Sequence, residues 1–327
     1  MPTGRAEASS ARLKTRLVPT IFAHERRGMK TFAWILLRFF GAWPLPLLHG
    51  FASVLGWLSW VIPNRRKRVA LRNVERCFPE KTAAEQQGIA RQAVTEELKL
   101  FLETPRLWLC SKATMRGYLK QETNIDLLDK AFAKGRGVIL LTLHQGQFEQ
   151  PAMCMSERYT FTGLYKEQGG KGGGAAIDEA SLQGRTRFGG KMIAVKRGVK
   201  SQVLPLLAAN EGVYFVADQD PPPGSGVFAP FFGHPAHTPV LVRTLAQACD
   251  AEILAFYGER LPWGQGYKSH YLEVPAAIRD PDPVVSATAL NAVFEECVRK
   301  MPHQYWWTYQ RFRRQPEGAP DFYAGTR

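Results

Sequence analysis

One histidine is a candidate general base because it directly follows a strand that the sequence predicts to be buried. The run from Val138 to Leu143 is apolar except for Thr142, and His144 comes next. Open α/β sheets place their ligands at the carboxyl ends of the strands. Gly146 permits a tight turn, so we expect Glu149, five residues after the histidine, to fold back and accept a hydrogen bond from the imidazole. A histidine oriented by a carboxylate is the base used in acyl-transfer chemistry.

The neighbourhood of His144 in the sequence has no serine or cysteine that could act as a nucleophile. The hydroxyl of a substrate would then attack, after the imidazole removes its proton. A second interpretation stays open, in which His144 is a buried structural histidine satisfied by a glutamate that caps a helix.

Two further segments carry polar side chains that belong with this histidine. Asp218 and Asp220 end a second apolar run, Val213 to Ala217, and polar groups at two strand ends indicate one shared crevice. Arg185 and Arg187 offer two guanidinium groups suited to bidentate phosphate binding. We therefore expect all four to bind substrate, although such arginines are commonly solvated and such aspartates commonly cap turns.

The sequence gives no pattern typical of a metal or cofactor site. His234 and His237 lie close together, but Pro235 separates them and no cysteine or third histidine is near. The run from Gly169 to Gly174 lacks the ending of a phosphate-binding loop, so we expect a flexible surface loop. Five widely spaced cysteines predict reduced thiols in the cytosol: Cys77, Cys110, Cys154, Cys249 and Cys297. We predict no metal and no cofactor.

The N-terminal part of the chain has the composition of a membrane anchor. Residues 1–30 are polar and basic, and we expect them to be disordered. From Thr31 to Ile62 the only formal charge is Arg38, tryptophans flank the apolar runs, and a basic cluster follows at residues 65–72. We therefore divide the chain into a tail at 1–30, an anchor at 31–63 and a domain at 64–327.

The way in which this anchor would meet a membrane stays open. Pro44 and Pro46 interrupt the apolar stretch, leaving two pieces shorter than the roughly twenty residues that a span requires. A tilted, kinked span and a shallow helical hairpin both fit this pattern. A buried hairpin in the core of a soluble protein is a third interpretation.

The elements that must position these residues predict an α/β domain. A capping box from Thr82 to Glu85 begins a long amphipathic helix, and Ser286 is expected to cap a helix from Ala287 to Lys300. Further apolar runs at 253–257 and 271–274 are continuous rather than alternating, so both faces of the sheet must be covered. We predict a central, mostly parallel or mixed sheet flanked by helices.

Composition limits the classes of protein that remain. The chain has 327 residues, of which 45% are hydrophobic and 22% charged, and this excludes a disordered tail protein. With only one long apolar segment, it is not a polytopic transporter. The net charge of +14 predicts an acidic partner: nucleic acid, anionic lipid or an acidic carrier protein. Basic residues concentrate beside the apolar segment, and no aromatic-interleaved basic strand is present, so we predict no nucleic acid.

Taken together, the motifs resemble the late acyltransferases of lipid A biosynthesis, the lauroyl and myristoyl transferase family. That family belongs to the glycerolipid and lysophospholipid acyltransferases, with their motif of histidine, four residues and an acid. The resemblance runs from about Lys30 almost to the C-terminus. The segments that carry it are the apolar N-terminus, Asn73 through Phe78-Pro79, His144 to Glu149, Gly184 to Arg187, Asp218 to Asp220, Val227 to Gly233, Pro302 to Trp307, Arg311-Phe312 and Arg314 to Gly318.

The resemblance implies a single domain of the glycerolipid-acyltransferase type that transfers a fatty acyl chain. The donor would be acyl carrier protein, and the acceptor a hydroxyl of a 3-hydroxyacyl chain on a lipid A precursor, at the cytoplasmic face of the inner membrane. His144 would be the base, Glu149 its orienting partner and Arg185 the contact to the polar substrate, with no covalent intermediate.

The sequence departs from the family after Tyr165. Lys166 stands where an arginine is usual, so it is a further candidate for substrate binding, and the asparagine-proline pair that commonly follows is missing. Two alternatives therefore remain. One is an acyltransferase of the same fold that acts on a phosphatidylinositol mannoside or a lysophospholipid, and the other is a basic membrane-surface module without enzymatic activity.

Overall fold

The continuously apolar runs form the centre of a seven-stranded sheet in the computed structural model of the chain. Two further strands, β6 and β7, pair separately as an antiparallel hairpin. The strands are β1 (Leu119–Thr123), β2 (Val138–Thr142), β3 (Phe161–Tyr165), β4 (Lys191–Ala194), β5 (Gly212–Val216), β6 (Gly226–Phe231), β7 (His234–Pro239), β8 (Glu252–Arg260) and β9 (Tyr267–Glu273).

The structure describes residues 20–166, 173–196 and 198–326, with side chains from Thr31 onward. Most of the predicted tail at 1–30 and residues 169–172 of the predicted glycine loop lie outside these ranges. The helices are α1 (Thr20–Ala42), α2 (Leu45–Val61), α3 (Arg65–Cys77), α4 (Ala83–Leu109), α5 (Lys112–Tyr118), α6 (Ile125–Ala133), α7 (Glu149–Arg158), α8 (Gly173–Thr186), α9 (Val199–Ala208), α10 (Leu241–Ala246) and α11 (Pro283–Lys300).

The sheet is mixed but mostly parallel, as predicted. Its strand order is β1-β9-β8-β2-β5-β3-β4, and β2 pairs in parallel with both β5 and β8. Only β9 runs against its neighbour β8, among the pairs of this sheet that the structure describes. The carboxyl ends of β2, β3 and β5 therefore lie at one edge of the sheet, where the crevice was expected.

Both faces of the sheet are covered by helices, which explains the continuous apolar runs. Ile139 and Leu141 pack into a large cluster with α3, α4 and α9 to α11. Val138 and Leu140, which point the opposite way from β2, pack with α6 and α7. Side chains alternate between the faces of a strand, so each run needs apolar residues at every position.

The N-terminal cap was predicted correctly for α4 but not for α11. The capping box is confirmed, because the Glu85 backbone N–H donates to Thr82 Oγ1 and the Thr82 backbone N–H donates to the Glu85 carboxylate. The predicted cap of α11 is wrong. Asp282 caps it by accepting from the Val284 backbone N–H, and Ser286 Oγ donates to the carbonyl of Ile278 instead.

The N-terminal segment forms a bent helical pair, α1 and α2. Helix α1 begins at Thr20, within the stretch predicted to be disordered. One face of α2 is buried against α4, where a Cβ on Gly56 would lie 2.3 Å from Thr95 Oγ1. Among the described residues no single helix is long and apolar enough to cross a membrane. Thr31–Ala42 and Leu45–Val61 meet the length and composition criteria only together, across a bend of 115°.

Candidate active site

The pairing of two central strands brings His144 next to Asp218. Thr142 of β2 is paired with Val216 of β5 in the sheet. His144 and Asp218 each follow two residues after this pair, so they leave the sheet side by side. The imidazole Nδ1 lies 2.7 Å from Asp218 Oδ1, and Asp218 Oδ2 accepts a hydrogen bond from the His144 backbone N–H at 3.0 Å. This carboxylate therefore fixes both the ring and the backbone of the histidine.

Glu149 does not make the hydrogen bond to His144 that we expected. Glu149 begins α7, and Arg185 Nε donates to Glu149 Oε2 at 2.7 Å while its Nη2 contacts the other carboxylate oxygen. A guanidinium matches both oxygens of a carboxylate at once, which an imidazole cannot do. Asp218 replaces Glu149 as the orienting partner of the imidazole, and Glu149 holds Arg185.

The buried carboxylate of Asp218 indicates which nitrogen of the His144 ring carries a proton. Burial raises the pKa of the Asp218 carboxyl. A charged His144 and the hydrogen bonds from its ring and its backbone N–H lower this pKa by more, so the net pKa lies below its ordinary value. An ionised carboxylate can only accept, so Nδ1 carries a proton. Nε2 faces the side-chain amide of Gln219 at 3.4 Å. In a neutral ring, Nε2 is then the nitrogen that could take up a proton.

Aromatic side chains enclose the imidazole on two sides. Its centroid lies 5.0 Å from that of Phe148 and 4.8 Å from that of Trp306, and its side chain is 14% exposed. The Trp306 backbone N–H donates to the carbonyl of His144, and its indole N–H donates to Glu97 at 2.8 Å. These contacts shield most of the ring from bulk water and leave a small part of it exposed.

A glycine turn carries the chain from His144 into α7. Gly146 has φ +57°, and a Cβ there would lie 1.8 Å from the carbonyl oxygen of Gly258. Its N–H donates to the carbonyl of Gln304, and the Gln147 N–H donates to the carbonyl of Gly258. The turn requires glycine both for its backbone conformation and for the close approach of β8.

The two arginines predicted to bind substrate have partners within the chain. Burial lowers the pKa of Arg185, but the charge of Glu149 raises it more, so the net pKa lies above its ordinary value. Its guanidinium also lies 5.9 Å from the Trp108 ring. Arg187 Nη1 donates to the carbonyl of Trp108 at 2.7 Å and joins the end of α8 to α4.

The second aspartate predicted to bind substrate has a buried side chain. Asp220 Oδ1 lies 2.7 Å from His237 Nδ1 and joins the end of β5 to the β6–β7 hairpin. Its other oxygen lies 3.5 Å from the guanidinium groups of Arg313 and Arg314. Asp220 thereby places two cationic side chains beside the strand end that carries Asp218.

Lys166 is exposed and directly follows β3, at the edge of the sheet where β2 and β5 end. His234 contacts the carbonyl of Arg76 and does not share a partner with His237. Within the described ranges, no three histidine, cysteine, aspartate or glutamate residues are grouped so that they could hold a metal ion.

Comparison with known proteins assigns the chain to a family. Residues 19–314 match the family of bacterial lipid A biosynthesis acyltransferases. The chain is 26% identical over 281 residues to the lipid A biosynthesis lauroyltransferase of Escherichia coli K12, covering 86% of this chain and 90% of that protein. It is 24% identical over 303 residues to the palmitoleoyltransferase of the same strain, covering 92% and 96%.

A third relative comes from another organism. The chain is 25% identical over 288 residues to a lipid A biosynthesis acyltransferase of Haemophilus influenzae, covering 86% of this chain and 89% of that protein. The match to the family includes both strands that bring His144 and Asp218 together. The resemblance read from the sequence is therefore confirmed: the chain belongs to the bacterial lipid A biosynthesis acyltransferase family, and it is an acyltransferase.

Proposed function

We propose that this acyltransferase moves a fatty acyl chain from acyl carrier protein to a hydroxyl of a 3-hydroxyacyl chain on a lipid A precursor. The observation that carries the proposal is the His144–Asp218 pair at the carboxyl end of β2. The names of the relatives support the acceptor, because they describe lauroyl and palmitoleoyl transfer in lipid A biosynthesis.

The proposed step needs one base and no covalent intermediate. His144 Nε2 removes the proton of the acceptor hydroxyl, and the oxygen attacks the carbonyl carbon of the thioester. The tetrahedral intermediate collapses, the carbon–sulfur bond breaks, and the imidazolium returns a proton to the leaving thiolate. Asp218 stabilises the imidazolium between these events. General-base catalysis of this kind contributes a factor of about 10² to 10⁴.

The partners of His144 fit a base better than an activator of an enzymatic nucleophile. In the described part of the chain, its side chain contacts Asp218, Gln219, Phe148 and Trp306, none of which is a serine or cysteine. The attacking oxygen must then come from the substrate, as the transfer to a hydroxyl requires.

Cationic side chains near the site fit an acidic donor such as acyl carrier protein. Arg66 of α3 lies 3.9 Å from Glu97, the residue that binds the Trp306 indole. Arg313 and Arg314 belong to the C-terminal segment that also carries Trp306, and they lie near the buried carboxylate of Asp220. Positive groups around an opening steer an acidic partner towards it.

The bent pair α1–α2 fits a membrane surface at the inner membrane, with the site facing the cytoplasm. Its exposed side is apolar, and α3, which follows at once, begins with a run of four basic residues. Such a pattern favours insertion beside anionic lipid. The large apolar side chains exposed on this segment are Phe32, Ile35, Leu36, Phe39, Leu47, Phe51, Val54, Trp57, Leu58, Val61 and Ile62.

The proposal is tested with purified protein in detergent micelles. Acyl carrier protein thioesters of different chain length, and separately acyl-coenzyme A, are offered with a tetra-acyl lipid A precursor, a lysophospholipid and a phosphatidylinositol mannoside. Mass spectrometry should show one added acyl chain on the lipid A precursor. Acylation of another lipid in its place would contradict the proposed acceptor, and transfer from acyl-coenzyme A alone would contradict the proposed donor.

A further inference from the structure

A buried group of charges lies directly behind the turn that follows His144, and the chemistry above does not use it. Glu103 of α4 and Arg260 at the end of β8 are both buried. Arg260 Nε and Nη2 donate to Glu103 Oε1 at 2.8 and 2.6 Å, and Nη1 donates to Glu96 at 2.6 Å. Burial of an ion pair is costly unless hydrogen bonds satisfy it, so its position calls for an explanation.

The same charges hold the backbone and side chain of the turn. Arg260 Nη2 also donates to the carbonyl of Gly146 at 3.1 Å. Gln147 Nε2 donates to Glu103 Oε1 at 2.8 Å, and Gln147 Oε1 accepts from the Glu149 backbone N–H at 3.1 Å. Gly146 and Gln147, in the middle of this turn, are thus held by hydrogen bonds to one buried ion pair.

A histidine of the N-terminal helical pair completes this group. His49 is buried on the face of α2 that packs against α4, and its Nε2 lies 2.7 Å from Glu103 Oε2. The two oxygens of Glu103 therefore join α2 on one side to the turn after His144 on the other. A segment that exposes apolar side chains to its surroundings is connected to the active site through one carboxylate.

We infer that Glu103 and Arg260 are positioning residues for the turn after His144, and that His49 extends this unit into α2. The helical pair α1–α2 is then part of the catalytic scaffold as well as a candidate membrane contact. This inference rests on the proposed function, because it assumes that His144 performs the chemistry. The turn has little regular structure of its own, so a shift of its backbone moves the imidazole and changes turnover.

The test uses the full-length protein in detergent micelles and compares four variants. His49→Leu removes the bond to Glu103, His49→Gln restores a donor near the same place, and Glu103→Gln removes the charge. Glu252→Gln is the matched control, because Glu252 begins the strand that Arg260 ends and pairs with Lys134 and Arg136 far from the site. Turnover, KM, thermal unfolding and hydrogen exchange of residues 144–149 are measured on the same samples.

We expect His49→Leu to lower kcat at least tenfold with little change in KM, and His49→Gln to recover most of that loss. Exchange at residues 144–149 should rise in His49→Leu and Glu103→Gln but not in Glu252→Gln. A purely structural role predicts a lower melting temperature with unchanged turnover per folded molecule and unchanged exchange at the turn. Unchanged turnover per folded molecule, or unchanged exchange at residues 144–149, in His49→Leu would overturn the inference.

The exchange measurement also separates this inference from the proposed function. Exchange needs no substrate, so it reports on the turn even if the wild-type protein fails to acylate a lipid A precursor. In that case the proposed function fails, while faster exchange at the turn in His49→Leu would still support the positioning unit. If the wild-type protein acylates the lipid A precursor but exchange at the turn is unchanged in His49→Leu, the proposed function is supported and the positioning unit is overturned.

Discussion

The imidazole of His144 is oriented by a carboxylate from the neighbouring strand rather than by the acid of its own motif. Asp218 contacts both Nδ1 and the backbone N–H of the histidine, while Glu149 is taken up by Arg185. The two acids therefore have separate tasks. Asp218 holds the imidazole and the backbone of His144, and Glu149 fixes the start of α7 to the end of α8.

Sequence reasoning singled out His144 and both acids but gave the hydrogen bond to the imidazole to Glu149 instead of Asp218. A spacing of five residues shows that Glu149 can approach His144, but it cannot show that Arg185 is a stronger competitor for the carboxylate. The signal for Asp218 was present, because two predicted strands each ended in a polar residue. Their register, which places Thr142 opposite Val216, was needed to pair them.

The Glu149–Arg185 pair should contribute mainly to stability. Because Glu149 is buried, Glu149→Gln leaves the guanidinium without its charge partner and should lower the free energy of unfolding by about 3 kcal/mol. The double variant Glu149→Gln/Arg185→Met removes both charges and should be more stable than Glu149→Gln alone. Chemical unfolding of the three proteins checks this. If the double variant is less stable than Glu149→Gln, the loss in the single variant does not come from an unpaired Arg185.

At the scale of elements, the parallel sheet and its helical layers follow from the sequence, whereas the turn after His144 does not. The apolar runs predict β2, β5 and β8 because each buries both faces. The turn depends on contacts with distant segments, including the carbonyls of Gly258 and Gln304. No local pattern predicts such contacts, although the glycine at 146 marks the position where they are needed.

The close approach at Gly146 gives a prediction with a matched control. Gly146→Ala should lower both stability and turnover, because its Cβ would meet the carbonyl oxygen of Gly258 at 1.8 Å in a left-handed backbone conformation. Gly135 has a similar φ of +71°, but a Cβ there would meet nothing within 4 Å. Gly135→Ala should therefore lower the free energy of unfolding by only about 1 kcal/mol, the cost of a left-handed alanine backbone. Thermal unfolding and turnover of both variants check the prediction. Equal losses would mean that the contact with β8 is unimportant.

The exposed side of α1 and α2 predicts binding to anionic vesicles. Replacing Leu47 and Trp57 by serine should weaken sedimentation with vesicles of anionic lipid at high salt, because these side chains project away from the fold. The control replaces Val284 and Val285, two exposed apolar residues of α11, by serine. Equal binding by both double variants would contradict a membrane contact by this segment. Binding that disappears on adding salt would indicate basic contacts alone.

At the scale of the whole molecule, the C-terminal segment and the N-terminal helices meet around the site. Asn73 of α3 donates to the carbonyls of Trp307 and Tyr309, and Tyr323 donates to Asn73. The segment after α11 has little regular structure, so periodicity could not predict its path. It nevertheless supplies Trp306 to the side of His144.

Buried carboxylates make the stability of the whole protein depend on pH. Burial raises the pKa of Glu103, but Arg260 and His49 lower it more, from 4.5 to about 2. The folded state therefore favours the ionised form, and this stabilisation is complete above pH 4.5 and is lost as the pH falls towards 2. Its size is on the order of 3 kcal/mol.

Urea unfolding between pH 6 and pH 2.5 measures this effect. The free energy of unfolding of the wild-type protein should fall below pH 4.5, and Glu103→Gln should show a shallower fall over the same range. The hydrogen bonds and charge of His144 lower the pKa of Asp218 overall, so Asp218 acts in the same direction and remains in that variant. A stability that is independent of pH between 4.5 and 2.5 would contradict the ionised Glu103 on which the buried cluster depends.

The most direct test of the mechanism is the rate of acyl transfer by His144→Ala, Asp218→Asn and the variant that carries both changes. If His144 is the base and Asp218 its orienting partner, His144→Ala should lose about 10² or more in turnover while it stays folded. The double variant should lose little more than His144→Ala alone, because the two residues act as one unit. Full turnover in His144→Ala, measured on protein with the wild-type melting temperature, would contradict the account.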